Sequence, residues 1–347
     1  MDVHCIDPTR DARWRELTQH PHAGLFHSPA WLQCLTDTYG FPVQAYIAVD
    51  AAGTVAAGIP FCAMDDMVGR RVACLPFTDA CDPLVVAREG LRALLARLME
   101  HRVPLQLRLL DQRIPAAEGD LQVTKRARWH RLAVTEPEAL LWSGVAAAAR
   151  RAIRKSGHAG VEVRPLPGID GLHDFLRLHT AVRKHKYRLL PQPDAFFESI
   201  MQRFGETGDW HPLGAYLDGR LIAATIYLRW RDRLYYKFNA SARDALAARP
   251  NNLLVWKGML MARTLGCATL DLGPSDDAQP GLIRFKRDMG AIETELQFLR
   301  WAPVGWEDAR GADARRMLGE ITGLLTAPEV PDEVTRGAGT ALYRYFA

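Results

Sequence analysis

No apolar run in this 347-residue chain approaches the roughly 20 residues that a helix needs to cross a bilayer, so no membrane-spanning helix is expected. The opening stretch, MDVHCIDPTRDARWREL, is polar and charged, without the apolar segment of a leader. Cysteine is sparse: Cys5, Cys34, Cys62, Cys74, Cys81 and Cys267 are scattered and include no Cys-x-x-Cys pair. Scattered thiols in a chain this long fit a reducing compartment better than a disulfide framework, so the expected location is the cytoplasm. Gly-x-Ser-x-Gly and Gly-x-x-x-x-Gly-Lys-Ser/Thr are both absent, which removes the commonest hydrolase and NTPase signals. His173, His179 and His185 recur every six residues, but six helical steps rotate about 240°, so neighbours in the series do not share a helix face. His20 and His22 have no second cluster at ligand spacing. No metal is expected. Charge of one sign is also lacking: 44 Lys and Arg stand against 40 Asp and Glu, a net +4.

What is present is an ordinary globular balance, 48% hydrophobic and 24% charged, at a length that suggests two domains. An internal repeat supports that division. SPAWLQCLTDTYG (28–40) reads as a helix, with Ser28 as N-cap, Pro29 at the first helical position and Gly40 as the stop. Strands follow at 45–49, 54–64 and 71–77. About 168 residues later the order recurs: a helix at 193–205, then strands at 212–217, 220–230 and 233–241, with Asp218-Gly219 as a tight hairpin turn. A helix at 251–265 closed by Gly266 and a strand at 268–273 complete the second copy. The boundary is expected in the Ala- and Arg-rich helix 145–160, giving a first domain at 1–147 and a second at 148–304. The tail 305–347, with one helix at 311–326, is expected to pack back on the first domain.

Charge is concentrated beside that boundary. Residues 147–188 hold ten Lys and Arg against three acids, net +7, so the remainder sums to −3. Arg150, Arg151, Arg154 and Lys155 fall within two turns of one helix, and such a cluster points to a phosphate-bearing partner as well as to a solvated face.

Seven segments resemble, in order, the Fem-type transferases and their relatives with a BioF2-like GNAT acetyltransferase domain. They are FHSPAWLQCL (26–35), GRRVACLPFTDACDPL (69–84), ARRAIRKSGHAGVEV (149–163), FLRLHTAVRKHKYRLLPQPDAFF (175–197), AYLDGRLIAATIYLRWRDRLYYKFNAS (215–241), RPNNLLVWKGMLMARTLGCATLDLG (249–273) and GLIRFKRDMGA (281–291). The resemblance implies an α+β chain of two tandem GNAT-like domains, each a mixed, mostly antiparallel sheet flanked by helices. It implies an acyl or aminoacyl donor, an amine acceptor and an expected site in the cleft between the domains. It carries Phe285 and Lys286 to the acyl-transfer centre, where an ammonium can stabilise the oxyanion formed as an amine attacks an ester. It carries Arg284 and Arg287 to donor phosphates. Tyr235, Tyr236, Lys237 and Asn239 match the family's aromatic cleft strand, and Arg183, Lys184 and His185 match a basic segment that holds the acceptor. Asp271 is a candidate to orient the amine or accept its proton. The residues after Trp31 are Leu32, Gln33, Cys34 and Leu35, without the lysine that bridge-forming members carry there, which argues against a nucleotide-linked acceptor.

A GNAT enzyme using acyl-coenzyme A carries Arg/Gln-x-x-Gly-x-Gly/Ala where a helix opens, so that backbone N–H groups cradle the pyrophosphate. RKSGHA (154–159) and RTLGCA (263–268) match formally, but both are expected at helix ends, where the dipole disfavours an anion. The reading therefore favours an aminoacyl-tRNA-dependent transferase acting on an amine of a peptide, a peptidoglycan precursor or a natural product, with no further cofactor. Acyl-coenzyme A-dependent N-acylation of a sugar or peptide amine is the alternative. A non-catalytic module that binds tRNA or a phosphorylated ligand is the third reading.

Overall fold

The computed structural model describes residues 1–111 and 121–347. In chain order the elements begin with β1 (Asp2–Ile6), α1 (Ala12–Leu17), α2 (Pro29–Tyr39), β2 (Val43–Val49), β3 (Val55–Asp66), β4 (Gly69–Cys74), β5 (Leu84–Val85), α3 (Arg88–Met99), β6 (Leu105–Leu109) and β7 (Gln122–Ala133). They continue with α4 (Glu138–Gly144), α5 (Ala147–His158), β8 (Glu162–Pro165), α6 (Gly168–Ala181), α7 (Asp194–Glu206), β9 (Trp210–Leu217), β10 (Arg220–Trp230) and β11 (Arg233–Ser241). The last are α8 (Pro250–Thr264), β12 (Thr269–Asp276), α9 (Pro280–Asp288), β13 (Ile292–Trp301), α10 (Ala309–Leu325) and α11 (Asp332–Leu342). No helix among the described residues is long and apolar enough to cross a membrane.

Local chemistry sets many of these bounds. The Ser28 hydroxyl accepts from the Trp31 N–H at 3.2 Å, capping α2 ahead of Pro29. Asp218 and Gly219 both have positive φ (51° and 76°), the backbone that joins β9 to β10 with a twist matching the strands. At the end of α8, Gly266 (φ 72°) donates to Arg263 and Cys267 donates to Ala262, so the glycine of RTLGCA is a helix stop, as expected.

The chain forms two compact units: Met1–Ala127 with Glu295–Gly319 and Arg344–Ala347, and Arg128–Thr294 with Glu320–Tyr343. In the first, β1 to β4 make an antiparallel meander (Val3↔Ala48, Tyr46↔Ile59, Met64↔Arg71). α3 then crosses over to β6, which lies parallel to β4 through Val72↔Leu105, Ala73↔Gln106 and Cys74↔Leu107. The 297–301 part of β13 pairs antiparallel on the far side of β6. The core is Phe61, Val72, Leu94, Leu98, Leu105 and their neighbours.

The second unit repeats the plan. β8 to β11 make the meander (Val163↔Ala215, Ala224↔Gly214, Thr225↔Asn239), and α8 crosses over to β12. β12 is parallel to β11 through Arg233↔Thr269, Leu234↔Leu270 and Tyr235↔Asp271. The 128–133 part of β7 neighbours β12. The core gathers Ala149 and Ile153 of α5 with Leu254, Met259, Leu270 and Leu272. The α+β expectation of two GNAT-like folds holds.

Each crossover helix approaches its sheet at a glycine. A Cβ on Gly90 would stand 3.0 Å from the Cβ atoms of Ala56 and Ala57, and one on Gly258 would stand 2.4 Å from the Tyr227 hydroxyl. That hydroxyl donates to the Leu254 carbonyl at 2.9 Å, fixing α8 on β10.

The division between units falls at 127/128, inside β7, rather than at 147/148. The reason is that α5 buries Ala149 and Ile153 among the core residues of the second unit. The tail also divides. Its first helix is found near the expected span, but α11 is an additional helix, and Glu320–Tyr343 belong to the second unit. There Lys184 Nζ donates to Asp332 at 2.8 Å, the Arg188 guanidinium donates to the Thr326 carbonyl at 2.6 Å, and Arg336 pairs with Asp194. The strand expected at 71–77 ends at Cys74, where the chain turns into the segment 75–83.

Candidate active site

The parallel pairing of β11 and β12 lasts three residues and stops after Tyr235 and Asp271. Beyond it the strands part company, β11 carrying Tyr236 to Asn239 and β12 carrying Leu272 to Ser275. The carbonyls of Gly273 and Pro274 at that divergence accept from Lys286 Nζ, at 3.1 and 2.8 Å. Lys286 reaches them from α9 and is 4% exposed. The Phe-Lys pair therefore lies on a helix, with Phe285 turned to the second unit's core and Lys286 to β12.

Asp271 ends the paired stretch. Its carboxylate is 1% exposed and accepts from Trp129 Nε1 at 2.8 Å, from Arg131 at 3.1 and 3.2 Å and from the Gly273 N–H at 2.8 Å. Burial raises its pKa against the opposing pull of Arg131 and these donors. Both oxygens are thus engaged inside the unit. That occupancy is at odds with a carboxylate waiting for an incoming amine, and it fits one that holds β7 and the Gly273 turn to β12.

Along β11, Tyr235 is buried and Tyr236 packs edge-on against Tyr227, with ring centroids 5.7 Å apart. Burial pushes the Tyr236 phenol up. Lys237 Nζ lies 5.1 Å from the Phe238 ring centroid. Asn239 Nδ2 donates to Thr225 Oγ1 at 2.9 Å and to Asn251 Oδ1 at 3.3 Å, linking β11 to the first turn of α8.

Beside that turn lies a cavity of about 560 Å³. α5 lines it with Ala148, Arg151, Ala152 and Lys155, and α9 lines it with Gly281, Arg284, Phe285 and Asp288, both at the i, i+3, i+4, i+7 spacing of one helix face. Arg249 and Asn252, at the opening of α8, complete the wall. Four cationic side chains, Arg151, Lys155, Arg249 and Arg284, face one carboxylate, Asp288. α8 and α9 both open at this wall, each with a proline in its first turn.

Of the five residues expected to hold donor phosphates, the cavity gathers Lys155 and Arg284. Arg150 donates to the Trp142 and Ser143 carbonyls at 3.3 and 3.2 Å, and the Arg154 guanidinium lies 5.4 Å from the Trp142 ring centroid. Both lie on the other side of α5. Arg287 bonds Glu293 at 2.8 and 3.1 Å. Arg249 was missed, and Arg151, counted in the basic cluster, was not among the residues expected to hold the donor. The i, i+4 spacing of Arg151 and Lys155 was visible in the sequence, but choosing that pair over Arg150 and Arg154 requires knowing which α5 face is buried.

The expected acceptor residues divide from the rest. The Arg183 guanidinium donates to the Leu190 carbonyl at 2.8 and 3.0 Å and lies over Tyr343. Lys184 is 1% exposed and holds Asp332, and His185 Nε2 is 3.9 Å from the same carboxylate. This basic segment clamps α11 and is built as packing.

Residues 143–287 match the family model of the acetyltransferase (GNAT) domain. The crystal structure of FemX is similar over 92% of this chain and 100% of its own, with a TM-score of 0.64 and 14% identity. A tandem GNAT protein from the clavulanic acid biosynthesis pathway aligns over 86% and 98%, with a TM-score of 0.55 and 14% identity. L-PGS from Bacillus licheniformis aligns over 91% and 99%, with a TM-score of 0.53 and 10% identity. Identities this low speak to the fold. No curated protein matches the sequence. The resemblance to Fem-like GNAT proteins drawn from the sequence stands: residues 143–287 match the GNAT domain, and the solved structures share the fold.

Proposed function

We propose that the chain transfers an aminoacyl group from aminoacyl-tRNA to an amine of a peptide, peptidoglycan precursor or natural product, with the donor's phosphates in the cavity between α5, α8 and α9. The observation that carries this reading is the charge of that cavity. Arg151, Lys155, Arg249 and Arg284 converge where two helices open, within the stretch that matches the GNAT domain. Residues 243–249, RDALAAR, lead from β11 into the opening of α8 and contain no glycine. RTLGCA closes α8 instead of opening it. Both points favour a nucleic-acid donor over a cradled pyrophosphate.

In the transfer the amine attacks the ester carbonyl, the carbonyl electrons move onto oxygen, and the ribose oxygen leaves with a proton. Lys286, anchored on the Gly273 and Pro274 carbonyls, supplies the fixed positive charge for the oxyanion. Acetyl-coenzyme A is the second reading, favoured by the acetyltransferase description of the matching domain. Incubation with labelled aminoacyl-tRNAs and, separately, with labelled acetyl-coenzyme A separates the two. Label reaching an amine from tRNA is expected; transfer from the thioester alone overturns the tRNA reading.

A further inference from the structure

A pair of tryptophans in the second unit has no role in the site described so far. Trp142, on α4, and Trp256, on α8, meet with ring centroids 4.9 Å apart and planes at 65°. With Glu138 and Ala139 they line a second opening, of about 560 Å³. Trp256 is enclosed, at 6% exposure, whereas Trp142 is only partly buried against the core.

α5 holds this corner in place. Arg150 donates to the Trp142 and Ser143 carbonyls at 3.3 and 3.2 Å, and the Arg154 guanidinium lies 5.4 Å from the Trp142 ring centroid. Both arginines are thus engaged in fixing the indole, which leaves the two rings and Glu138 to meet a ligand. Glu138 is exposed and has no hydrogen bond or ion pair within the described residues.

Two aromatic rings set at a corner suit a third flat ring, which stacks on one and meets the edge of the other. A carboxylate at the lip accepts from an amino group in the plane of that ring. Adenine and cytosine carry such an exocyclic amine, whereas uracil presents a carbonyl oxygen, which a carboxylate repels. The opening also neighbours the donor cavity. Asn252, on the cavity wall, precedes Trp256 by one turn of α8, and α5 turns Arg151 and Lys155 to the cavity and Arg154 to Trp142. A strand whose phosphates enter the cavity reaches the corner across one helix, about 10 Å wide. The net +7 of residues 147–188 suits a polyanion on this part of the unit.

We propose that the Trp142–Trp256 corner is a nucleobase site, which takes one unstacked adenine or cytosine of a single-stranded RNA whose phosphates lie in the cavity between α5, α8 and α9. This rests on the reading that the donor is an RNA. Stacking on aromatic side chains beside a cationic groove is the general means of holding a single strand.

The test is binding of labelled single-stranded RNA oligomers of A, C or U to the full chain, followed by fluorescence anisotropy at one fixed salt concentration. The wild-type protein is expected to hold the A and C oligomers several-fold more tightly than the U oligomer. Trp142→Leu is expected to weaken binding of A and C by about 5- to 100-fold, the worth of one stacked base. Trp142→Phe, which keeps an aromatic face beside Trp256, is expected to stay within about threefold of wild type. Glu138→Ala, at an exposed position that folding does not depend on, is expected to erase the preference for A and C and to leave U binding unchanged. Arg284→Ala, on the cavity wall, is expected to weaken all three alike. Wild-type binding of all three oligomers by Trp142→Leu, or a preference for A and C that survives in Glu138→Ala, overturns the base site; if Arg284→Ala still weakens binding, the donor reading stands. A loss of coenzyme A binding in Trp142→Leu with RNA binding unmoved assigns the corner to a small nucleotide and also overturns the proposal. Failure of every oligomer to bind overturns the base site and the donor reading together.

Discussion

Both units contain a parallel strand pair three residues deep, and the two pairs end differently. In the first unit the pairing of β4 with β6 stops at Cys74 and Leu107. The chain's own segment 75–83 then takes over: the Cys81 N–H donates to the Arg108 carbonyl at 2.9 Å, and Asp82 Oδ1 accepts from the Leu110 and Asp111 N–H groups at 2.7 and 2.9 Å. Arg108 donates in turn to the Thr78 carbonyl at 2.7 Å. In the second unit the pairing of β11 with β12 stops at Tyr235 and Asp271, and the groups beyond it are met by a cation, Lys286. One divergence is closed by a neighbouring segment of the chain, with main chain and side chains together, and one is met by a single lysine. The same fold thus yields a structural end and a chemically equipped end, because a diverging parallel pair exposes polar backbone that something must satisfy.

The sharpest way to break the comparison is at those two contacts. Lys286→Met is expected to lower kcat by about 100-fold or more, in the range seen when an oxyanion-stabilising donor is removed. Asp82→Asn, which keeps a side-chain oxygen for the same two N–H groups, is expected to leave kcat unchanged. Steady-state transfer assays on both variants check the contrast.

The next largest effect is on stability against pH, where the units respond with opposite sign. Burial raises Asp82 to about 6, so its native state holds a proton more readily than the unfolded chain. Its contribution is present below the ordinary carboxyl value and is lost as pH rises through 6. Burial lowers His179, stacked on Phe175, to about 4, with its bond to Gln192 opposing. Its contribution is present above 6.5 and is lost as pH falls toward 4. Each is worth on the order of 3 kcal/mol at most. Hydrogen exchange at pH 5 and pH 7 is expected to show relative protection shifting from the second unit to the first on acidification. Asp82→Asn abolishes the first unit's share; equal shifts in both units would break the contrast.

Packing gives a smaller difference. Gly258→Ala drives a methyl into the enclosed Tyr227 ring and is expected to cost about 1–3 kcal/mol. Gly90→Ala meets only the Cβ atoms of Ala56 and Ala57 at 3.0 Å and is expected to cost less. Denaturant unfolding of the two variants measures both. Smallest is the single-charge effect: Arg151→Ala or Arg284→Ala is expected to raise donor KM several-fold and flatten its salt dependence, with kcat little changed. Arg154→Ala, whose guanidinium lies over Trp142, is expected to leave donor KM where it was.

Much of the fold was legible because local rules decide it. Ser28, Pro29 and Gly40 delimit α2, and Asp218-Gly219 makes the hairpin. α11 escaped notice because DEVTRGAGTAL has two glycines and only a short apolar pattern, and its helix is held by contacts with residues far away in sequence, such as Lys184 with Asp332. The site was legible only in part. Lys286 came from resemblance, and its partners, two main-chain carbonyls, carry no side-chain signature.

The sequence by itself determined the repeat, the turn and cap positions and the concentration of positive charge in 147–188, since each depends on nearest neighbours, pattern or composition. Only the tertiary structure decided which of those charges line the cavity and which go into packing. Arg150 and Arg151 are adjacent and alike in propensity, yet one holds a helix end and the other lines a cavity, because burying Ala149 and Ile153 sets the rotation of α5.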